Sequence, residues 1–279
     1  MAQRDIDTGT QDLLAHVDGN VAAIVFNRPE RRNALSSGMY EGFRRVLAAV
    51  ATDPEVRVVM LTGSGGAFCA GGDVKGMHES NEAAQPRDAK PSSAEAHIDN
   101  LRQNQRDVSL ALYNLQKPVV AAIPGAAAGA GMSIALSADI RIAAERALIV
   151  TAFSGVGASG DFGGSWFLTQ LVGHAKAKEL YFMSPRLDAR EALALGIVNQ
   201  VLPDEGFEAA ALAYCHELAA RPPVALRYIK ENINRALGTD LATCLDAEAH
   251  AMITTMSTED HREAAAAFVE KREAVFRGR

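Results

Sequence analysis

Apolar positions along the chain fall into two spacings, and the switches between them mark out the elements. Leu13 to Val17 and Val21 to Phe26 are apolar-rich runs on either side of Asp18-Gly19-Asn20, the pattern of a β-hairpin closed at an Asp-Gly turn. Met39, Phe43, Val46, Leu47 and Val50 then recur at helical spacing behind Ser36 and Ser37, either of which can cap the helix. Val56 to Leu61 reads as a buried strand that leads into a glycine loop. A second apolar run after Lys117 breaks at Pro124-Gly125 and passes into a helix of very small side chains, Gly129-Ala130-Gly131-Met132-Ser133. This alternation of strand, loop and helix predicts a layered α/β core. Residues 78–96 are polar, Pro-containing and short of apolar anchors, which predicts a mobile loop, with a helix following from Ala94 to about Leu115. Beyond Pro203 helical patterns run from about Gly206 to Phe276, broken once at Arg221-Pro222-Pro223.

Composition narrows the class. The chain has 279 residues, 48% hydrophobic and 22% charged, a balance that supports a sizeable core. A net charge of −6 without a basic block argues against a nucleic-acid surface. Cys69, Cys215 and Cys244 are scattered and show no ligand spacing or disulfide framework, so no metal is expected and a reducing cytoplasm is the simplest compartment. The polar N-terminus is unlike a secretory signal, and the longest apolar run is interrupted by Pro124, so neither export nor a membrane span is expected.

Two stretches invite chemistry. The turn into Ala130 and the earlier Ser64-Gly-Gly-Ala-Phe68-Cys69-Ala70-Gly71-Gly72-Asp73 are both built of small side chains. Small residues at a helix start leave backbone N–H groups open to a ligand, at the positive end of the helix dipole. Two such donors aimed at one point make an oxyanion hole for a developing negative charge. Tight packing is the plainer reading of either loop alone, because glycine commonly serves close backbone approach. A nucleotide loop is a weaker one, since neither G-x-x-x-x-G-K-[ST] nor G-x-G-x-x-G follows a strand.

Six blocks, taken in order, resemble the crotonase family, also called the enoyl-CoA hydratase/isomerase family. They are Asn27 to Leu35, Ala67 to Asp73, Lys117 to Ser133, Ala138 to Arg141, Leu187 to Asn199, and Phe268 to Phe276. The resemblance implies an α/β fold of the ClpP/crotonase type, a spiral of β-β-α turns over residues 1–203. A C-terminal helical oligomerisation region over 204–279 would pack across subunits in a homotrimer or dimer of trimers. The implied substrate is an acyl-CoA thioester, with coenzyme A belonging to the substrate and no separate cofactor. The reaction stays open, because one fold hosts many chemistries.

The resemblance carries over to particular positions. It implies that the backbone N–H groups of Gly72 and Ala130 are the oxyanion donors, with Ala130 standing where the family usually has Gly. Substrate-binding positions fall on Arg31, Ala70, Gly72, Asp73, Val74, Lys75, Ala130 and Phe153, and on Phe268 and Lys271 reaching from an adjacent subunit. Arg32 lies in the same block as Arg31, and residues 78–96 would form a lid beside the acyl pocket. Family hydratases use two glutamates, where this chain has Ser133 and Phe153, and neither can serve as a carboxylate base.

The acid that remains is Asp161, at a place where several isomerases of the family carry a lone carboxylate. The run Asp161-Phe-Gly-Gly-Ser-Trp166-Phe-Leu looks most like the phenylacetate-pathway ring-epoxide isomerases. Burial near Phe153, Phe162 and Trp166 should raise its pKa, which suits a group that takes a proton and returns it. The expected activity is double-bond or ring isomerisation with Asp161 as acid/base. The alternatives are a hydratase-like lyase, an aryl-CoA dehalogenase-like enzyme with Asp161 as nucleophile, and a non-catalytic acyl-CoA-binding protein. Pattern alone first reads Asp161 as a helix cap, a role compatible with catalysis. Asp73 also reads as a cap at a helix start, Asp139 as a turn anchor, Trp166 as core, and His174 as a capping or surface group past a helix end at Gly173.

Overall fold

The computed structural model describes residues 3–73 and 93–279. Its strands are β1 (Arg4–Asp5), β2 (Leu13–Asp18), β3 (Val21–Phe26), β4 (Val58–Gly63), β5 (Val119–Ile123), β6 (Ala127–Ala128), β7 (Ile140–Ala144), β8 (Leu148–Val150), β9 (Leu187–Asp188) and β10 (Gln200–Leu202). Among the described residues a seven-stranded sheet has the order β1-β2-β3-β4-β5-β7-β10, and β6-β8-β9 form a smaller sheet. The expected hairpin is present, with Asp18 opposite Val21 across β2 and β3. From β3 to β10 every neighbouring pair in the large sheet is parallel. The strand expected from Val56 starts two residues later, because Arg57 and Val58 first donate to Asn20 O.

Side chains alternate across a strand, so one sheet feeds two cores. Ile24, Phe26, Val59, Leu61, Val119 and Ala121 share one core with α1 (Ser37–Thr52), which buries Met39, Phe43, Val46, Leu47 and Val50. Ser36 is the residue that caps it, its hydroxyl accepting from Met39 N at 3.3 Å. The intervening residues Val21, Ala23, Val58, Met60, Val120 and Ala122 form the other core. After α1 come α2 (Ala94–Gln105), which runs through a π-helical segment, Arg106–Leu110, into α3 (Ala111–Asn114), and then α4 (Ala130–Leu136) and α5 (Gly164–Met183). The β-β-α unit recurs as β5-β6-α4 and β7-β8-α5. The chain continues through α6 (Ala189–Ala194), α7 (Phe207–Ala219), α8 (Pro223–Ala236), α9 (Leu241–Met256) and α10 (Glu259–Glu270). Phe207, Ala211, Cys215 and Ala219 of α7 cover the second sheet face.

Non-helical angles at Gly173 (φ 75°, ψ 160°) break α5 into two helical pieces, so exposed His174 follows a helix end, as expected. Two expectations need correction or limitation. The C-terminal helices stop at Glu270, not near Phe276. Arg272 pairs there with Glu263 and turns the tail back, and Asp260 accepts from Arg277 N and Gly278 N at 2.6 and 2.8 Å. The polar stretch 78–96 lies outside the described residues as far as 92, and its end is the start of α2, where Ser93 is the cap. No helix among the described residues is long and apolar enough to cross a membrane.

Asp139 is the turn anchor expected, and it reaches further than a turn. Its Oδ2 accepts from Val119 N at 2.7 Å and lies 2.9 Å from Lys230 Nζ on α8. Lys230 also donates to Leu112 O and Lys117 O, at 3.3 and 3.2 Å. Burial pushes the Asp139 carboxyl up and the Lys230 ammonium down, and the opposite charge of each restrains the shift of the other. Removing one partner leaves a buried, uncompensated charge. Lys230→Met should therefore lower unfolding free energy by about 3 kcal/mol, read as a lower urea midpoint with an unchanged slope.

Candidate active site

Backbone contacts build the site before any side chain enters it. Phe68 N and Cys69 N both donate to Ala126 O, at 3.0 and 3.1 Å, and Ala128 N returns a bond to Cys69 O at 2.9 Å. The loops after β4 and β5 are thereby joined edge to edge. A Cβ on Gly131 would lie 2.2 Å from Cys69 O, and one on Gly71 would lie 2.7 Å from Ala128 O and 3.1 Å from Ala130 N. Such clearances exclude any side chain, which is the physical reason for glycine at both positions. The first block closes over this junction. Asn33, fully buried and left-handed (φ 58°), donates from Nδ2 to Ser64 O and Ala67 O at 2.9 Å each and accepts from Arg28 N at 2.8 Å. Leu35 N donates to Gly71 O at 2.8 Å and Ala70 N to Arg32 O at 3.0 Å.

The Gly72 and Ala130 N–H groups have no acceptor among the described residues. Gly72 is exposed, whereas Ala130 begins α4 and is 3% exposed. A cleft of about 550 Å³ opens beside Gly72 and brings together Arg31, Arg32, Ala70 and Asp73. Asp73 is fixed there by Arg28, at 3.3 Å. Val74, Lys75 and any helix that Asp73 would cap lie outside the described residues. Phe268, 85% exposed, and Lys271 stand at the end of α10 and form no part of this cleft's lining.

Asp161 does not cap α5. Phe162 and Gly163 are both left-handed (φ 50° and 76°), and they turn the chain so that Gly163 occupies the cap position with no side-chain bond. Asp161 supplies only its backbone carbonyl, to Gly164 N at 3.1 Å. Its Oδ1 is shut off from solvent with no hydrogen-bond partner. Burial raises its pKa to about 6, against an ordinary value of 3.8.

An aromatic frame surrounds that carboxyl. Tyr40 stacks on Phe162 at 5.9 Å and Tyr181 stacks on Phe153 at 5.8 Å. Burial, reinforced by the nearby Asp161 charge, pushes the Tyr40 phenol up to about 12. Tyr181 also rises to about 12, chiefly through burial. Ser133 lies one turn into α4 and spends its hydroxyl on Gly129 O at 3.2 Å. A Cβ on Gly164 would sit 2.2 Å from Ser133 Oγ and 2.6 Å from the Tyr181 hydroxyl, so α4 and α5 meet here without a gap. The loop is held from outside by Gln105, whose Oε1 accepts from Phe162 N at 2.8 Å.

Trp166 is not core. It is 42% exposed, because Gly164 and Leu168 take the inward face of α5, and it packs edge-on to Tyr113 and Phe167. It helps wall an open apolar cavity of about 370 Å³ between α2 and α5. Tyr40, Tyr181, Asn33 and Gln105 were not singled out from the sequence. Asn33 had a local signal, since Asn tolerates left-handed backbone in a tight turn. The other three reach Asp161 or its loop only through tertiary contacts.

A free pair of main-chain donors can hold a developing oxyanion, and a partly protonated carboxyl can exchange a proton near neutral pH. The enoyl-CoA hydratase/isomerase family model matches residues 16–279. A short-chain-enoyl-CoA hydratase of Clostridium acetobutylicum is 36% identical over 262 residues, covering 94% of this chain and 95% of that protein. The 1,2-epoxyphenylacetyl-CoA isomerase of Escherichia coli is 35% identical over 267 residues, covering 96% and 98%. The crystal structure of an enoyl-CoA hydratase from Bacillus anthracis superposes with a TM-score of 0.87 at 31% identity, covering 96% of this chain and all of that one. With its β-β-α turns and the two joined loops, this chain belongs to the enoyl-CoA hydratase/isomerase family of acyl-CoA enzymes.

Proposed function

We propose that this acyl-CoA enzyme isomerises a double bond or ring-derived acyl group, with Asp161 moving the proton. The observation that carries the reading is the half-buried Asp161 carboxyl, with Oδ1 sealed from solvent and without a hydrogen-bond partner, its pKa raised by burial to about 6. The Gly72 and Ala130 N–H groups would take the thioester oxygen as it gains enolate charge, after which Asp161 would remove a proton at C2 and return one at C4. The bond changes balance within the substrate, and Asp161 ends as it began. Hydration is disfavoured because Ser133 is committed to Gly129 O and Phe153 to a ring stack, and neither is a carboxylate. A nucleophilic Asp161 would have to be ionised, which its desolvation opposes.

The cleft beside Gly72 would receive coenzyme A, with Arg31, Ala70, Asp73, Val74 and Lys75 along it and Phe268 and Lys271 supplied by a neighbouring subunit. A trimer or pair of trimers is supported by the apolar side chains left exposed on α8 to α10, including Ile233, Leu241, Ile253 and Phe268.

Proline fits the first position of a helix but carries no N–H, so Ala130→Pro tests the donor directly. Its kcat should fall by about 10²–10³-fold with the fold retained by circular dichroism. Wild-type protein should isomerise a 3-enoyl-CoA far faster than it hydrates crotonyl-CoA. Rapid hydration that is indifferent to Asp161→Asn would overturn the reading.

Asp161→Asn should lower turnover by roughly 10²–10⁴-fold and stop solvent deuterium exchange at the substrate's C2, while acyl-CoA still binds. A base works ionised, so wild-type kcat/KM should rise with pH and level off above about 6. Stability runs the other way. The folded pKa lies above the unfolded value of 3.8, so the protonated form's contribution is complete below about pH 4 and is lost as pH rises through about 6. Asp161→Asn should accordingly melt above wild type at pH 7.5, and the difference should vanish towards pH 4.

A further inference from the structure

The open cavity of about 370 Å³ between α2 and α5 has two sides that differ in kind. One side is aromatic, formed by Phe162, Trp166 and Phe167, with Tyr113 packed edge-on to Trp166. The other belongs to α2 and the π-helical turn after it, which present Arg102, Gln105, Arg106 and Ser109. Among the described residues no acid lines the cavity. The acids nearby on the same helix are spent elsewhere. Asp99 pairs with Arg102 at 3.1 Å, and Asp107 takes Arg44 and Gln103 at 3.1 and 2.8 Å.

Three polar groups on the helical side are left unmet. Gln105 holds the Phe162 N–H at 2.8 Å, which only its amide oxygen can do, because both Nε2 and the N–H are donors. Nε2 is thereby turned away from Phe162, and it has no acceptor among the described residues. Arg106 is exposed and makes no ion pair among the described residues. Ser109 is 3% exposed, and its Oγ has no hydrogen-bond partner, although a serine in a helix ordinarily bonds back to the preceding turn. It lies in the π-helical turn Arg106–Leu110, a rare form found mostly at functional sites.

The unmet amide, guanidinium and hydroxyl groups all offer hydrogens. A ligand that meets them brings acceptors, and opposite Arg106 a negative charge serves best. The facing rings call for an apolar body, and the volume is within the range of small-molecule sites. We propose that this cavity binds an apolar carboxylate, with its body against Trp166 and Phe162 and its carboxylate on Arg106 and the Gln105 amide. Phe162 and Gly163 wall the cavity and also form the turn after Asp161, so the site flanks that carboxyl without including it. It stands whether or not Asp161 moves a proton.

Trp166 is the chain's single tryptophan, so its emission reports occupancy directly. The test titrates wild type and Arg106→Gln with phenylpropionate and with its neutral counterpart phenylpropanol, following emission and heat together. Wild type should show a saturable change and bind the acid about tenfold more tightly than the alcohol, as a hydrogen bond to a charged group allows. Arg106→Gln alters an exposed residue and should bring the two affinities together. Equal affinities in wild type, or heat of binding without a change at Trp166, would overturn the site, as would no binding of the acid at all. A preference that survives in Arg106→Gln would overturn the pairing with Arg106. The carboxylate can be a free acid or the far end of an acyl group, and displacement of bound phenylpropionate separates the two. Displacement by glutaryl-CoA and not by butyryl-CoA identifies the acyl group, and displacement by neither identifies a free acid. Equal displacement by both would make the cavity a plain acyl pocket and overturn its selectivity for a carboxylate.

Discussion

The rest of this site depends on the contact between two backbone loops that approach with no room for a side chain. Cys69 O sits over Gly131, Ala128 O over Gly71, and a Cβ on Gly125 would fall 2.0 Å from Gly66 O. The parallel pairing of β4 with β5 delivers both loops to the same end of the sheet. Hydrogen bonds from Phe68, Cys69 and Ala128 then lock their edges together. The relative placement of the Gly72 and Ala130 N–H groups is therefore a property of main chain, set by the core behind it. An alanine at position 130 is compatible with this, because its N–H is the same as a glycine's.

Asp161 follows a different logic. Where Asp139, Asp260 and Asp73 are each met by cations or amides, Asp161 keeps an oxygen unmet inside an aromatic frame. Such an arrangement works against stability and favours proton chemistry near neutral pH. Local rules of folding are broken most readily where function requires it, and the unmet carboxyl breaks one of them.

How much could be read in advance varied with how local the cause was. The hairpin, a serine cap at position 36 or 37 and the two small-residue loops were legible because turn chemistry, capping and close approach leave their mark in a few adjacent residues. Asp161 also drew attention, yet its cap reading failed. The Asp-Phe-Gly-Gly pattern does not reveal that Phe162, a residue with a Cβ, takes a left-handed angle and moves the cap to Gly163. Trp166 misled for a related reason, since an aromatic on a helix gives no sign of which face Gly164 and Leu168 will claim. Tyr40 and Tyr181 come from distant parts of the chain, and their convergence on Asp161 exists only once the sheet has brought α1, α4 and α5 together.

Phe162 links these scales. A left-handed angle on a bulky residue costs about 1–2 kcal/mol, and here it is offset by burial of the ring in the core, its stack on Tyr40 and the hydrogen bond from its N–H to Gln105. A residue anchored in this way opens only together with the part of the core that packs on it. When it opens, the wall that keeps water from Asp161 opens with it. The seal around the Asp161 carboxyl is thus an equilibrium, and the exchange of a single amide hydrogen, that of Phe162, counts how often it is broken.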